Sequence, residues 1–221
     1  MNITRYGLRL PMEWLMPRRY LLRRGNRRCG RIALTFDDGP NPAYTPKILD
    51  QLDVHSAKAT FFLIGCEVER HRNLVREVVR RGHAVGNHTY SHANLAAVSP
   101  RVLREEIDRG RAVIEEATGI PVRLLRPPAG NMSLRGLTYA AQKGLTVVLW
   151  SVDSRDWARE GPETILQTLN GASVRSGDIV LLHDDYPETL AALPAALINL
   201  RRCGLSFGSL GDMLADSPRG G

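Results

Sequence analysis

The chain has 221 residues, 43% of them hydrophobic, and a formal net charge of +7. That length suits one large domain rather than a string of them, and the apolar content is ample for a buried core. The charge is uneven: residues 1–31 hold nine arginines against Glu13, which leaves the rest of the chain slightly acidic.

Residues 1–30 therefore read as a basic N-terminal arm. It carries Leu10, Met12, Trp14, Leu15, Met16, Tyr20, Leu21 and Leu22 among its arginines. Two uses stay open: a peripheral contact with anionic lipid, or a strap that packs its apolar side on the body and leaves the arginines in water. Pro11 and Pro17 break any long helix and favour the strap. No nucleic-acid partner is expected, since no binding motif accompanies the charge. The apolar runs near the start are too short for a secretory core or a membrane span. Cys29, Cys66 and Cys203 are odd in number and widely spaced, so a cytoplasmic protein with free thiols is expected.

Beyond the arm, a strand over residues 32–36 delivers Asp37 and Asp38 to a Gly39-Pro40 turn, and a helix over 46–53 follows. A strand at 59–64 and a helix at 67–81 lead to a strand at 84–87, which delivers His88 and, four residues on, His92. The helix predicted over 100–118 is the clearest. Ser99 can cap it, Pro100 suits its first turn, and Val102, Leu103, Ile107 and Ile114 share one face. A strand at 124–126 ends on Arg126, and a helix spans 133–143. A strand at 146–152 precedes Asp153 and Asp156, and a helix covers 162–174. A strand at 179–183 ends on His183. A helix at 188–203, a weak strand at 205–207 and a flexible tail at 214–221 complete the chain.

This alternation implies an α/β fold with a parallel sheet. No glycine-rich nucleotide loop follows the first strand, so a (β/α) barrel over residues 31–213 is preferred to a doubly wound sheet. The polar residues of interest gather at strand C-terminal ends, where such barrels assemble their active sites.

The chemistry of the set is specific. Two histidines at i and i+4 can put their imidazoles on one side of a helical turn, where one divalent ion can take both. One carboxylate of the Asp37-Asp38 pair can complete a two-histidine, one-carboxylate set, leaving its neighbour as a base. A metal held by three protein ligands keeps positions for water and substrate, which points to a hydrolase.

In this order, the motifs Thr35-Phe36-Asp37-Asp38-Gly39-Pro40, His88 to His92, Arg126-Pro127-Pro128-Ala129-Gly130, Asp153 to Trp157 and Leu181-Leu182-His183 resemble those of the polysaccharide deacetylases. These are the family 4 carbohydrate esterases with a NodB homology domain. The text around Lys58 to Gly65 is most similar to the chitooligosaccharide deacetylases. The resemblance implies an incomplete, distorted barrel of about seven parallel strands and a metal-dependent hydrolase that releases acetate from an N-acetylated carbohydrate. It implies one divalent ion, most simply Zn2+, with Co2+, Ni2+, Mn2+ or Fe2+ as alternatives, held by Asp38, His88 and His92.

Carried over residue by residue, Asp37 is the general base, oriented by Arg126, and His183 is the general acid, held by Asp156. The Ala129 N–H faces the oxyanion, Trp157 lines the sugar site, and Leu181 lies near the acetyl methyl. Ala129 stands where many members carry an aromatic residue or glycine, which bears on substrate preference rather than activity. A deformylase or other deacylase of a lipid- or nucleotide-linked amino sugar stays open, as does an inactive carbohydrate-binding homologue. His55, His71 and His83 are expected to be solvated, and Cys66 to be an inert thiol.

Overall fold

The computed structural model of the protein describes residues 17–215. Residues 1–16 of the expected arm and 216–221 of the expected tail lie outside them. In chain order the elements begin with β1 (Leu21–Leu22), β2 (Arg31–Asp37), α1 (Thr45–Val54) and β3 (Thr60–Leu63). Next come α2 (Gly65–Arg70), α3 (Arg72–Arg80), β4 (Ala84–Asn87), α4 (Pro100–Thr118) and β5 (Leu124–Leu125). Then follow α5 (Leu134–Gln142), β6 (Thr146–Val148), β7 (Val152–Asp153), α6 (Pro162–Thr168) and β8 (Ile179–His183). The last are α7 (Pro187–Arg202), β9 (Ser206–Gly208) and α8 (Leu210–Ala215).

The strands form one curled sheet in the order β1-β6-β5-β4-β3-β2-β8-β7, with β9 added beside β2. All of the pairings between these strands are parallel. The curl ends at β1 and β7 without pairing them to each other, so the barrel is incomplete.

Alternation along the strands sorts the core into two layers. Phe36 and Phe61 point outward and stack with ring centroids 5.0 Å apart. There they meet Ile48 and Leu49 of α1, Val75 and Val78 of α3, and Leu193 and Leu197 of α7. Burial of each such side chain is worth ~1.5–3 kcal/mol. Ala33, Phe62, Leu124, Val148 and Ile179 form the inner cluster with Leu22 of β1 and with Leu210 and Met213 of α8. The Leu210 N–H donates to Thr60 Oγ1 at 2.9 Å. Thr60 is the first residue of β3, so α8 plugs the mouth by which strands enter the barrel.

Helix α4 starts and stops where its sequence says it should. Ser99 Oγ accepts the Val102 N–H at 3.4 Å, Pro100 sits in the first turn, and Gly119 takes the left-handed C-cap conformation. Leu103, Ile107 and Ile114 are buried, but Val102 is largely exposed.

Several predicted elements divide or shorten. The helix expected over 67–81 breaks at His71 (φ −129°, ψ 39°) into α2 and α3. The N–H groups of Gly65 and Cys66 donate to Thr89 O and Tyr90 O, which ties α2 to the histidine loop while α3 keeps its own seat on the sheet. The strand expected over 146–152 divides into β6, beside β1 and β5, and β7, beside β8. The helix expected over 162–174 ends at Thr168, because the Asn170 side chain closes a turn on the N–H groups of Ala172 and Ser173. Strand β1 lies inside the segment read as an arm: Leu21 and Leu22 are buried and in register with Val147 and Val148.

Candidate active site

Strands β2 and β8 run side by side with Asp37 and His183 as register partners, so two adjacent strand ends bring these groups to one rim. Asp37 is buried, and its Oδ1 accepts a hydrogen bond from Arg126 Nη1 at 2.7 Å. Arg126 is fully buried rather than an ordinary rim arginine. Its guanidinium also donates to Thr35 Oγ1 and to the carbonyls of Val148 and Leu149, and it lies 4.1 Å above the Phe62 ring. A charge buried this deeply needs such complete pairing.

Asp38 takes the left-handed conformation (φ 74°), which a short polar side chain tolerates, and turns away from the strand. His88 Nε2 is 3.3 Å and His92 Nε2 3.1 Å from Asp38 Oδ1. The two imidazoles do not share a helical turn, contrary to the expectation from their spacing. Residues 88–92 form a loop with positive φ at Thr89 (69°) and His92 (61°), and this loop brings the rings to 5.1 Å. Asn87 organises it. Its Oδ1 accepts the Thr89 N–H at 2.9 Å and its Nδ2 donates to Ile107 O at 2.9 Å.

The loop can lie against α4 only because residue 110 is glycine. A Cβ there would stand 2.5 Å from Asn87 Oδ1 and 2.8 Å from Thr89 C. Gly110→Ala is therefore expected to weaken binding of a metal ion by the triad about 10–100-fold, as loss of an outer-shell support does. Unfolding stability should also fall, by about 1–3 kcal/mol, because the clash with the Thr89 backbone outweighs the helix preference of alanine. Calorimetric zinc titration beside urea unfolding checks both.

One ligand atom from each of Asp38, His88 and His92 lies within 4.8 Å of the other two, and this triad could hold a metal ion. Two observations fit a cation there. Asp38 Oδ1 is buried and makes no hydrogen bond. The His88 Nδ1 lies 2.8 Å from Arg126 O; a carbonyl only accepts, so Nδ1 carries the proton and Nε2 offers its lone pair to the triad. Separations near 3 Å are those of donors about 2.1 Å from a shared ion. Burial pushes the Asp38 carboxyl up, but His88, His92 and His183 outweigh it and hold the group well below the usual carboxylate range.

On the other flank, His183 Nδ1 donates to Asp156 Oδ1 at 2.8 Å. Asp156 Oδ2 accepts the His183 N–H and the Thr189 hydroxyl, both at 2.7 Å. Burial pulls the His183 pKa down, yet the Asp156 carboxylate and the charges of Asp37 and Asp38 push it up to about 9. His183 is an imidazolium at neutral pH, with Nε2–H left to donate.

Leu181 is buried two residues before His183. Ala129 is exposed and left-handed (φ 52°) in the 3-10 turn Pro128–Gly130. Trp157 is 49% exposed, with its indole N–H donating to Asp153 Oδ1 at 3.1 Å.

Sequence reasoning passed over the groups behind these. Asp184 is fully buried; its Oδ2 accepts the Thr45 hydroxyl, and Thr45 Oγ1 accepts the Asn41 N–H at 2.7 Å. Asp184 thus pins the loop between Asp38 and α1. Burial, with the charges of Asp185 and Asp38, pushes its pKa up to about 7 against the Thr45 hydrogen bond. The run His183-Asp184-Asp185 was the available signal. His83, expected to be solvated, is buried; its Nδ1 accepts the Ala59 N–H, and burial pulls its pKa down to about 4. Cys66 is half-buried, and burial pushes its thiol up, which fits an inert group.

The family model for polysaccharide deacetylases matches residues 24–148, more than half of the chain. The chain belongs to the polysaccharide deacetylase family. A peptidoglycan-N-acetylglucosamine deacetylase of Bacillus cereus is 42% identical over 83% of this chain and 87% of its own length. A chitooligosaccharide deacetylase of Sinorhizobium fredii is 45% identical over 71% of this chain and 73% of its own. Among solved structures, the Bc1960 peptidoglycan N-acetylglucosamine deacetylase superposes with a TM-score of 0.87 at 34% identity, covering 94% of this chain and 98% of that one. The protein is thus a deacetylase of this family, a hydrolase, and its substrates are N-acetylated carbohydrates. Among the described residues, no helix is long and apolar enough to cross a membrane.

Proposed function

We propose that this deacetylase removes the N-acetyl group from N-acetylglucosamine units of an oligomer or polymer, releasing acetate and leaving a free amine. The reading is carried by one observation: the Asp38, His88 and His92 triad stands at the strand ends that also hold Asp37 and His183. Zn2+ is the proposed ion, although two imidazoles and a carboxylate also accept Co2+, Ni2+, Mn2+ or Fe2+. When bound, it supplies Lewis acidity that polarises the acetamide carbonyl and acidifies water.

The chain's own residues do the rest. Asp37 Oδ1 is occupied by Arg126, so Oδ2, 3.8 Å from His88 Nε2, takes the proton of the attacking water. The Ala129 N–H donates to the oxyanion as the carbonyl carbon becomes tetrahedral; one such donor is worth ~3 kcal/mol. His183 Nε2–H protonates the departing nitrogen as the C–N bond breaks, and Asp156 holds its imidazole. Trp157 offers a face to the sugar ring, and Leu181 lies by the acetyl methyl.

The free thiols of Cys29, Cys66 and Cys203 support a cytoplasmic site of action. The basic arm supports peripheral contact with an anionic membrane. Acetate release from an N-acetylglucosamine oligomer is expected to cease on chelation and to return with added zinc. Undiminished turnover by chelated, dialysed protein would refute the metal role.

A further inference from the structure

Because the paired strands all run one way, the loops that enter them share one face and the loops that leave them share the other. The two faces differ in the charged groups their loops carry. Asp37, Asp38, Asp153, Asp156, Asp184 and Asp185 lie at strand exits, around the buried Arg126. The entry face is cationic: Arg18 and Arg19 precede β1, Arg28 precedes β2, Arg123 precedes β5 and Arg175 precedes β8.

These five arginines are exposed, and among the described residues none is in an ion pair. Asp178, an acid in the same loops, is already held by Arg24 at 2.9 Å and Arg27 at 3.3 Å. Backbone contacts gather the cations into two groups. Thr146, the first residue of β6, donates its N–H to Arg123 O and its hydroxyl to Arg19 O, both at 2.8 Å. The Gly30 N–H donates to Ser176 Oγ at 2.9 Å, joining the Arg28 loop to the Arg175 loop.

We propose that the strand-entry face of the folded body seats on an anionic lipid surface, with the catalytic rim turned to the aqueous side. This rests on the membrane contact proposed for the arm and extends it to a face of the barrel with a defined orientation. The cations stand on loop tips around the barrel mouth rather than along a groove, which suits a plane of charge better than a strand of nucleic acid. Tyr20, with Arg19 4.8 Å from its ring, brings an aromatic to the same end, and Trp14, Leu15 and Met16 precede it in sequence. The unpaired arginines of the entry loops therefore favour that face toward an anionic surface.

The test is sedimentation of the full chain with phosphatidylcholine vesicles, with and without phosphatidylglycerol, at rising salt. Binding is expected only with phosphatidylglycerol and is lost at high salt. The variant carrying Arg19→Gln, Arg28→Gln, Arg123→Gln and Arg175→Gln should bind more weakly by about fivefold per arginine. Its turnover of a soluble oligomer should be unchanged. Vesicle-bound protein should turn over that oligomer as fast as free protein.

Equal binding to both vesicle types, or tighter retention on duplex DNA at the same salt, overturns the lipid assignment. If Arg5→Gln with Arg9→Gln abolishes binding while the four-site variant binds normally, the arm acts alone and the face does not. Loss of turnover on the vesicle overturns the orientation.

Discussion

Asp37→Asn is expected to lower turnover of an N-acetylglucosamine oligomer about 10²–10⁴-fold, the usual contribution of a positioned general base. Asparagine suits the experiment because its Oδ1 can still accept the Arg126 Nη1 hydrogen bond that Asp37 accepts at 2.7 Å. Alanine would leave a fully buried guanidinium without its counter-charge, which costs about 3–5 kcal/mol, and would confuse catalysis with folding. Zinc uptake should persist in the asparagine variant, since Asp38, His88 and His92 are untouched. Steady-state kinetics beside equilibrium dialysis of zinc separates the two properties. Full activity with normal zinc content would remove Asp37 from the role of base.

What could be read in the chain was local and periodic. The strand before Asp37 and the capped, amphipathic α4 both announce themselves within about ten residues, and the charged residues at strand ends follow from the strand pattern. What could not be read depends on partners distant in sequence. Leu21–Leu22 is too short for any period and is a strand only because β6 lies beside it. The spacing of His88 and His92 suggested a helical turn, while the actual loop is dictated by Asn87 and by the bare backbone of Gly110 some twenty residues later. Nothing near Arg126 in sequence reveals that it is enclosed, because its partners Thr35 and Asp37 lie about ninety residues away. The same holds for Asp184, in the loop after β8, whose partner Thr45 begins α1, 139 residues earlier.

These distant partners give the site its polarity. Arg126 binds Asp37 with its side chain and orients His88 with its carbonyl, so one residue positions both the proposed base and a member of the triad. Asp156 accepts three hydrogen bonds from His183 and Thr189, which leaves the His183 imidazolium one ring proton, on Nε2, to give. Asp37 is thereby kept an acceptor and His183 a donor, as the proposed hydrolysis of an amide requires.

Asp156→Asn should show that polarity in a pH profile. In the native protein the carboxylate raises the His183 pKa to about 9 against the effect of burial. Asparagine keeps an oxygen for the Nδ1 proton but removes the nearest charge, so burial is opposed only by the charges of Asp37 and Asp38 and the pKa falls from about 9 towards its ordinary value of 6.5. A fall of about two units cuts the imidazolium fraction near pH 8 by about tenfold, because the group starts nearly fully protonated there. The alkaline limb of kcat/KM should therefore move to lower pH, with activity partly recovered as the assay is acidified. Stability follows the same sign. A histidine whose pKa is raised in the folded state contributes stability that is full below about pH 6.5 and is lost as pH rises through about 9, and the variant should lose that contribution. If the whole profile drops without its alkaline limb moving, Asp156 supports the fold and does not charge the acid.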